Sequence, residues 1–166
     1  MSGKPRKIQK KAKKAAKVAP EAAEPTTRQQ FAALPWRMTN GALEILLVSS
    51  RDTRRWIIPK GWPMAGRSPA AAAAIEAMEE AGLLGVMSDE PIGHFHYAKR
   101  LASRTDHCRV EVFSLRVVRQ RDHWPEKHER ATQWFSVEEA IASVSDPELA
   151  DLIAAFARGA DSLSAP

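Results

Sequence analysis

Residues 61–83 read GWPMAGRSPAAAAAIEAMEEAGL, a Gly/Pro loop that runs into an Ala-rich helix and ends at another glycine. Ser68-Pro69 starts the helix, with the serine as N-cap and the proline in the first turn, where its missing N–H has no helical partner to lose. Gly82 stops it, because glycine takes the left-handed conformation of a helix end at little cost. At about 3.6 residues per turn, Ala71, Ala74, Ile75, Met78 and Ala81 are predicted to form one apolar stripe. Glu76, Glu79 and Glu80 then cluster on the opposite side, at i, i+3 and i+4. The C-terminal half of a helix disfavours anions, and like charges at these spacings repel by roughly a few tenths of a kcal/mol per pair. Two compensations are open. One is a solvent-facing acidic patch answered by nearby Lys or Arg. The other is a hard divalent cation, which binds through carboxylates, phosphate oxygens and water.

Outward from this segment the pattern is α+β. Phe31–Met38 and Leu43–Ser50 read as strands joined by a hairpin turn at Thr39-Asn40-Gly41. A basic loop, Arg51–Arg55, leads to the extended Trp56-Ile57-Ile58-Pro59 and then into Lys60–Arg67. Two strands are predicted after the helix, near Ile92–Leu101 and His107–Val118, the second passing from polar Arg109 and Glu111 to apolar Phe113, Leu115 and Val117 on one face. Ser136 caps a short helix at Val137–Ser143, and Asp146-Pro147 opens a last helix to about Arg158. There are no internal repeats.

The chain has 166 residues with 25 Lys+Arg and 20 Asp+Glu, a net charge of +5. The charge is divided unevenly. Residues 1–28 hold nine basic and two acidic groups, and the other 138 residues hold 16 basic and 18 acidic, so +7 sits on a tail and −2 on a domain. The expected organisation is a flexible basic tail at 1–28, a domain at 29–160 and a disordered end at 161–166. The tail is too poor in large apolar residues to offset its ordering entropy, and suits solubilisation, contact with nucleic acid or another polyanion, or organelle targeting, the last weakened by Lys in place of Arg and by the lack of Ser beyond Ser2. The lone Cys108 excludes an intramolecular disulfide framework and suits a reducing compartment. No apolar run approaches the ~20 residues of a bilayer span, and no apolar segment follows the basic N-terminus as in a secretory leader. A cytoplasmic location is therefore expected.

Gly61, Glu76, Glu79, Glu80, Gly82 and Leu83, in their strand–loop–helix setting, resemble the Nudix box. Trp56-Ile57-Ile58-Pro59-Lys60-Gly61-Trp62 resembles the entry to that box, and Trp134-Phe135 with the following acidic helix is similar to the close of a Nudix domain. The resemblance spans about Ala32 to Arg158. It is nearest to the diphosphoinositol-polyphosphate and dinucleoside-polyphosphate hydrolase branch. It implies a mixed β-sheet sandwiched between helices, and hydrolysis of a pyrophosphate bond in a nucleoside polyphosphate, dinucleoside polyphosphate or diphosphoinositol polyphosphate. It also implies Mg²⁺, with Mn²⁺ as the alternative, held principally by Glu76 and Glu80, with Glu79 as a further ligand or an orienting group. The general base is not fixed by the box; the candidates are Glu79 and, on the loop after the long strand, Glu126 and Glu129, with Glu129 favoured. Arg51, Arg55, Lys60 and Lys99 are the expected substrate cations, with Arg54, Arg100 and Arg104 nearby.

Two positions depart from the family pattern. Arg67 stands where the box has its first Glu, and Ile75 where it has the Arg that pairs with that Glu to brace loop against helix. The double replacement avoids an unpaired buried charge. It also motivates the competing reading, a phosphate-ligand or RNA-binding module with little turnover. Elsewhere, His94 and His96 on one strand face offer two imidazoles to a transition metal. The five tryptophans suit packing or base stacking. Cys108 reads as a small core residue. The sequence leaves the oligomeric state open.

Overall fold

The computed structural model of the chain describes residues 27–163. Eight strands form one mixed sheet: β1 (Thr27–Thr39), β2 (Ala42–Ser49), β3 (Trp56–Ile57), β4 (Lys60–Gly61), β5 (Leu83–Met87), β6 (Gly93–Arg100), β7 (Thr105–Gln120) and β8 (Thr132–Ser136). The main path runs β3-β2-β1-β7-β5, with β4 added to β1, β6 to β7 and β8 to β2. β1 and β7 are parallel, and the other pairings between these strands are antiparallel. Three helices complete the domain: α1 (Pro69–Ala81), α2 (Val137–Ser143) and α3 (Pro147–Leu163).

The central strands are apolar on both faces because both are covered by helices. Ala32 and Leu34 of β1, with Ile45 and Leu47 of β2, pack with Ala140, Leu149 and Ile153 of α2 and α3. Their neighbours Ala33, Leu46 and Val48 face the other way, onto Ala73, Ala77 and Ala81 of α1. This two-residue alternation builds the sandwich expected from the sequence. The predicted turn is present, with Asn40 at φ 51° and Gly41 at φ 81°, the left-handed pair that a two-residue hairpin needs.

Several boundaries differ from the sequence reading. β1 starts at Thr27, so Thr27 and Arg28, expected in the tail, belong to the sheet. Parallel pairing with β7, from Thr27 opposite His107 onward, recruits these polar residues where no hydrophobic pattern announces a strand. The remainder of the predicted tail lies outside the described residues. α3 runs to Leu163, past the expected Arg158. Leu83–Met87, not foreseen as a strand, pairs with β7 around a register shift at Leu84/Gly85. Gly85 disguises the strand in the sequence, yet a Cβ there would meet the Arg116 carbonyl oxygen at 2.0 Å, so the close approach requires glycine.

The buried stripe of α1 is also rotated from its expected position. Ala72, Ala73, Ala77 and Ala81 are buried, whereas Ala71, Ala74, Ile75 and Met78 are only half covered. Glu80 shares the buried stripe instead of lying opposite it. Small alanines let the helix sit close to the sheet, and Glu80 emerges at the edge of that contact, inside a cleft.

Candidate active site

The cleft has a volume of about 930 Å³ and opens between the β3–β4 segment, the loop after β2, the outer half of β6 and the end of α1. The termini of α1 are made locally, as the sequence implies. Ser68 Oγ accepts from the Ala71 N–H at 3.2 Å, and Gly82, at φ 69°, donates its N–H to Met78 O at 2.8 Å. The helix brings Glu76 and Glu80 to the cleft wall.

Glu76 is half-buried, and its carboxylate lies directly on Gly61. A Cβ at Gly61 would stand 2.1 Å from Glu76 Oε1, so glycine is what makes room for the carboxylate. Burial pushes the Glu76 carboxyl up to about 7, helped by the charges of Glu79 and Glu126. Glu80 is almost fully enclosed. Its Oε2 accepts from the Lys60 backbone N–H at 3.0 Å, and its Oε1 meets Arg130 Nη2 at 2.9 Å. Burial raises it to about 8, with Arg130 and Lys60 pulling the other way.

The loop 121–131 holds the far side of this acidic group. Glu126 N–H donates to Glu79 O, and Trp124 Nε1 donates to Glu80 O at 3.2 Å. Gln120 Nε2 donates to Ala81 O at 2.9 Å, and Arg121 N–H to Gly82 O at 2.8 Å. The carbonyls that a helix leaves without partners at its C-terminus are thus met one after another by the last residue of β7 and this loop. Trp124 packs against Gly82, where a Cβ would approach the ring to 2.4 Å. Arg130 Nε reaches Glu126 Oε1 at 3.1 Å, and Nη1 donates to Ser49 O at 3.1 Å.

The remaining wall is cationic with an acidic inset. Lys60, Arg51, Arg55, Lys99 and Arg100 line the cleft. The Lys60 ammonium stands over the Tyr97 ring at 4.9 Å, and burial pushes it below its ordinary value, against Glu80 and Asp146. Asp146 is raised by burial, while Lys60 and Arg55 act to lower it. Tyr97 donates its hydroxyl to Gln30 Oε1 at 2.6 Å, tying β6 to buried Gln30 of β1. Trp62 is flanked by Arg28, 4.1 Å from the ring centroid, and by Lys99 at 5.1 Å.

The structure therefore brings together Glu76, Glu80, Arg51, Arg55, Lys60 and Lys99 from the sequence-derived set. Glu79 stands beside the cleft, close enough for its charge to act on Glu76. Glu129 is not brought in: its half-exposed side chain pairs with Arg51 at 3.5 Å, and Glu126 takes the place on the wall. The turn of backbone at Glu126–Glu129, closed by Glu129 N–H on Glu126 O, leaves both carboxylates within reach of Arg51, with Glu126 at 3.7 Å also held by Arg130 and Glu129 at the more exposed edge. Arg104 pairs with Asp106 at 3.1 Å, and exposed Arg54 lies outside the cleft lining. Of the residues not singled out for the site, Tyr97 was accessible through its alternation with Phe95 on β6. Asp146 and Arg130 carry no local signal, because only the fold brings them to α1. The His94/His96 pair is turned to α3 instead, with His96 N–H donating to Glu148 Oε2 at 2.7 Å. Cys108 is a buried free thiol, as expected.

Among the described residues, no three His, Cys, Asp or Glu side chains form a ready metal-binding cluster. The site nevertheless fits a hard divalent cation. Its donors are carboxylate oxygens, Gly61 leaves the cradle that holds one of them, and burial opposes their charge until a further cation is supplied. Among the described residues, no helix is long and apolar enough to cross a membrane.

The NUDIX domain family matches residues 27–156. The chain is 32% identical over 103 residues to Nudix hydrolase 12, mitochondrial, of Arabidopsis thaliana, covering 60% of this chain and 51% of that protein. It is 36% identical over 101 residues to diphosphoinositol polyphosphate phosphohydrolase 3-beta of Bos taurus, covering 59% and 58%. The chain spans about half the length of the first curated relatives it matches. A binary complex of Ap4A hydrolase from C. elegans superposes with a TM-score of 0.63 over 81% of this chain and 98% of that one, at 19% identity, a likeness of fold.

Proposed function

The chain belongs to the Nudix family, and from that premise we propose that it is a divalent-metal-dependent hydrolase. Its substrate would be a pyrophosphate linkage in a nucleoside polyphosphate, dinucleoside polyphosphate or diphosphoinositol polyphosphate. The observation that carries this reading is the Glu76 carboxylate seated on Gly61 beside Glu80, in a cleft rimmed by cations. Glu76, Glu79 and Glu80 would hold the Mg²⁺ or Mn²⁺, which supplies charge neutralisation at the transferring phosphoryl and an activated water. Arg51, Arg55, Lys60, Lys99 and Arg100 would bind phosphate oxygens through charge-assisted hydrogen bonds. Glu126, which lines the cleft where Glu129 does not, would accept the proton of the attacking water at a carboxylate oxygen. The basic tail would add polyanion contact. The lone cysteine supports a reducing compartment, for which we place the protein in the cytoplasm.

The test is phosphate release with Mg²⁺ from diadenosine polyphosphates, capped or triphosphorylated RNA, and diphosphoinositols. Turnover that disappears in Glu80→Gln supports the hydrolase. The departures at Arg67 and Ile75 favour one second reading, a binding module. Absent turnover, with tight binding indifferent to Glu80→Gln, would select that module and reject the enzyme.

A further inference from the structure

The segment 61–83 lacks an internal charge pair to fix its helix to its loop. Arg67 is exposed, its backbone N–H closing a turn onto Met64 O at 3.1 Å, and it enters no ion pair among the described residues. Ile75 is half-buried and belongs to neither core cluster. Opposite them, the Arg130 side chain is only 9% exposed and commits its three nitrogens to three separate partners. Nη2 goes to Glu80 on α1, Nε to Glu126 on the loop, and Nη1 to Ser49 O at the end of β2. Ser49 is itself locked, its N–H donating to Ala131 O and its Oγ accepting from Ala131 N–H, each at 2.9 Å.

We propose that Arg130 is the positioning residue that takes over, from outside the 61–83 segment, the bracing role vacated at Arg67 and Ile75. The inference rests on the hydrolase reading above and assigns the means by which its carboxylates are aimed. A guanidinium is suited to this, because its planar fork fixes two carboxylates and a carbonyl in one rigid arrangement, whereas an ammonium is a point charge without preferred directions. The loop that carries Arg130 is joined to the end of α1 independently, through the hydrogen bonds to the carbonyls of Glu79, Glu80 and Gly82. Arg130 therefore transmits the position of β2 to Glu80 through a frame that is already rigid. Outer partners of metal-binding groups typically change metal affinity or activity by about 10–100-fold when removed.

The experiment uses the full chain as wild type, Arg130→Met, Arg130→Lys, the pair Arg67→Glu with Ile75→Arg, and that pair combined with Arg130→Met. Mn²⁺ affinity is read by electron paramagnetic resonance, and kcat and KM are measured on diadenosine tetraphosphate and a diphosphoinositol. Arg130→Met is expected to weaken Mn²⁺ binding by at least about tenfold and to lower kcat by about 10–100-fold with KM within about threefold. Arg130→Lys should fall between it and wild type. Adding the restored pair to Arg130→Met should recover most of the loss, while the pair alone changes little. Mn²⁺ affinity and kcat within twofold of wild type in Arg130→Met would overturn the proposal, as would a triple variant no better than Arg130→Met. Should Arg130→Met not fold, Arg130→Lys decides: a loss reversed by the pair supports the proposal, and no loss overturns it. If wild type turns over neither these probes nor the RNA substrates named above, the hydrolase reading falls while the Mn²⁺ affinities still decide the role of Arg130.

Discussion

Replacing Gly61 by alanine tests whether the Glu76 carboxylate is held where the chemistry requires it. The new Cβ would lie 2.1 Å from Glu76 Oε1, 2.3 Å from Cδ and 3.0 Å from Cγ. Moving Oε1 from 2.1 Å to 3.4 Å, where ordinary contact begins, displaces it by about 1.3 Å. The obstructed atoms are the end of a flexible side chain, so Glu76 can swing aside without disturbing the backbone. Gly61 is also outside the left-handed region, so alanine fits its conformation. Loss of chain entropy in the unfolded state offsets some of the local crowding, by about 0.4–1 kcal/mol. The melting temperature should therefore stay within a few degrees of wild type. A misplacement of about 1 Å at a reacting centre costs roughly 10²-fold in rate, so kcat/KM should fall by about that factor and Mg²⁺ should bind more weakly. Steady-state kinetics across a Mg²⁺ titration, with thermal unfolding as the control, reads both. A folded Gly61→Ala with kcat/KM within threefold of wild type would refute the placement of Glu76 as a fixed ligand.

Gly85→Ala should act on stability instead, because its Cβ meets the Arg116 carbonyl oxygen of a paired strand at 2.0 Å. A loss of about 1–3 kcal/mol in urea unfolding is expected, with the Mg²⁺ dependence of the remaining folded enzyme intact. Glu148 is held below the ordinary carboxylate range, first by the His96 backbone N–H and then by the His96 side chain. A depressed carboxyl contributes stability above its unfolded pKa and loses it as pH falls through the folded value. The stability difference between wild type and Glu148→Gln should therefore be present at pH 6 and vanish well below about pH 4 in a pH series of thermal melts. Deleting residues 1–26 removes eight of the nine basic groups counted in the tail and should flatten the salt dependence of RNA affinity; an unchanged slope would leave the tail a solubiliser.

Local chemistry was enough to place what depends on neighbours in the chain. Ser68, Pro69 and Gly82 define α1 because caps act within a turn, and Asn40-Gly41 defines a hairpin because the left-handed pair is a property of the residues themselves. The resemblance of 61–83 to the Nudix box likewise carried the expectation of a phosphate-handling site before any packing was known, where the acidic residues alone left a solvent-facing patch equally open. The rotation of α1 was not legible, because its alanines are equivalent in sequence and only contact with β1 chooses which of them to bury. That choice puts Glu80 into the cleft. For the clustered carboxylates the sequence leaves two answers open, a cation from the protein or one from solution. Tertiary structure supplies Arg130 to Glu80 and Glu126 while leaving Glu76 without a side-chain hydrogen bond or ion pair among the described residues. An arginine 50 residues from Glu80 in the chain has no periodicity or spacing to reveal it. It reaches the site because β2, β8 and the loop before β8 are held together by ladder hydrogen bonds, and a buried guanidinium settles where carboxylates and a free carbonyl can satisfy it at once. The sequence by itself determined the helices, the hairpin and the longer strands and raised the expectation of phosphate chemistry; which carboxylates face the cleft, and what holds them there, was decided by the packing of strands distant in the chain.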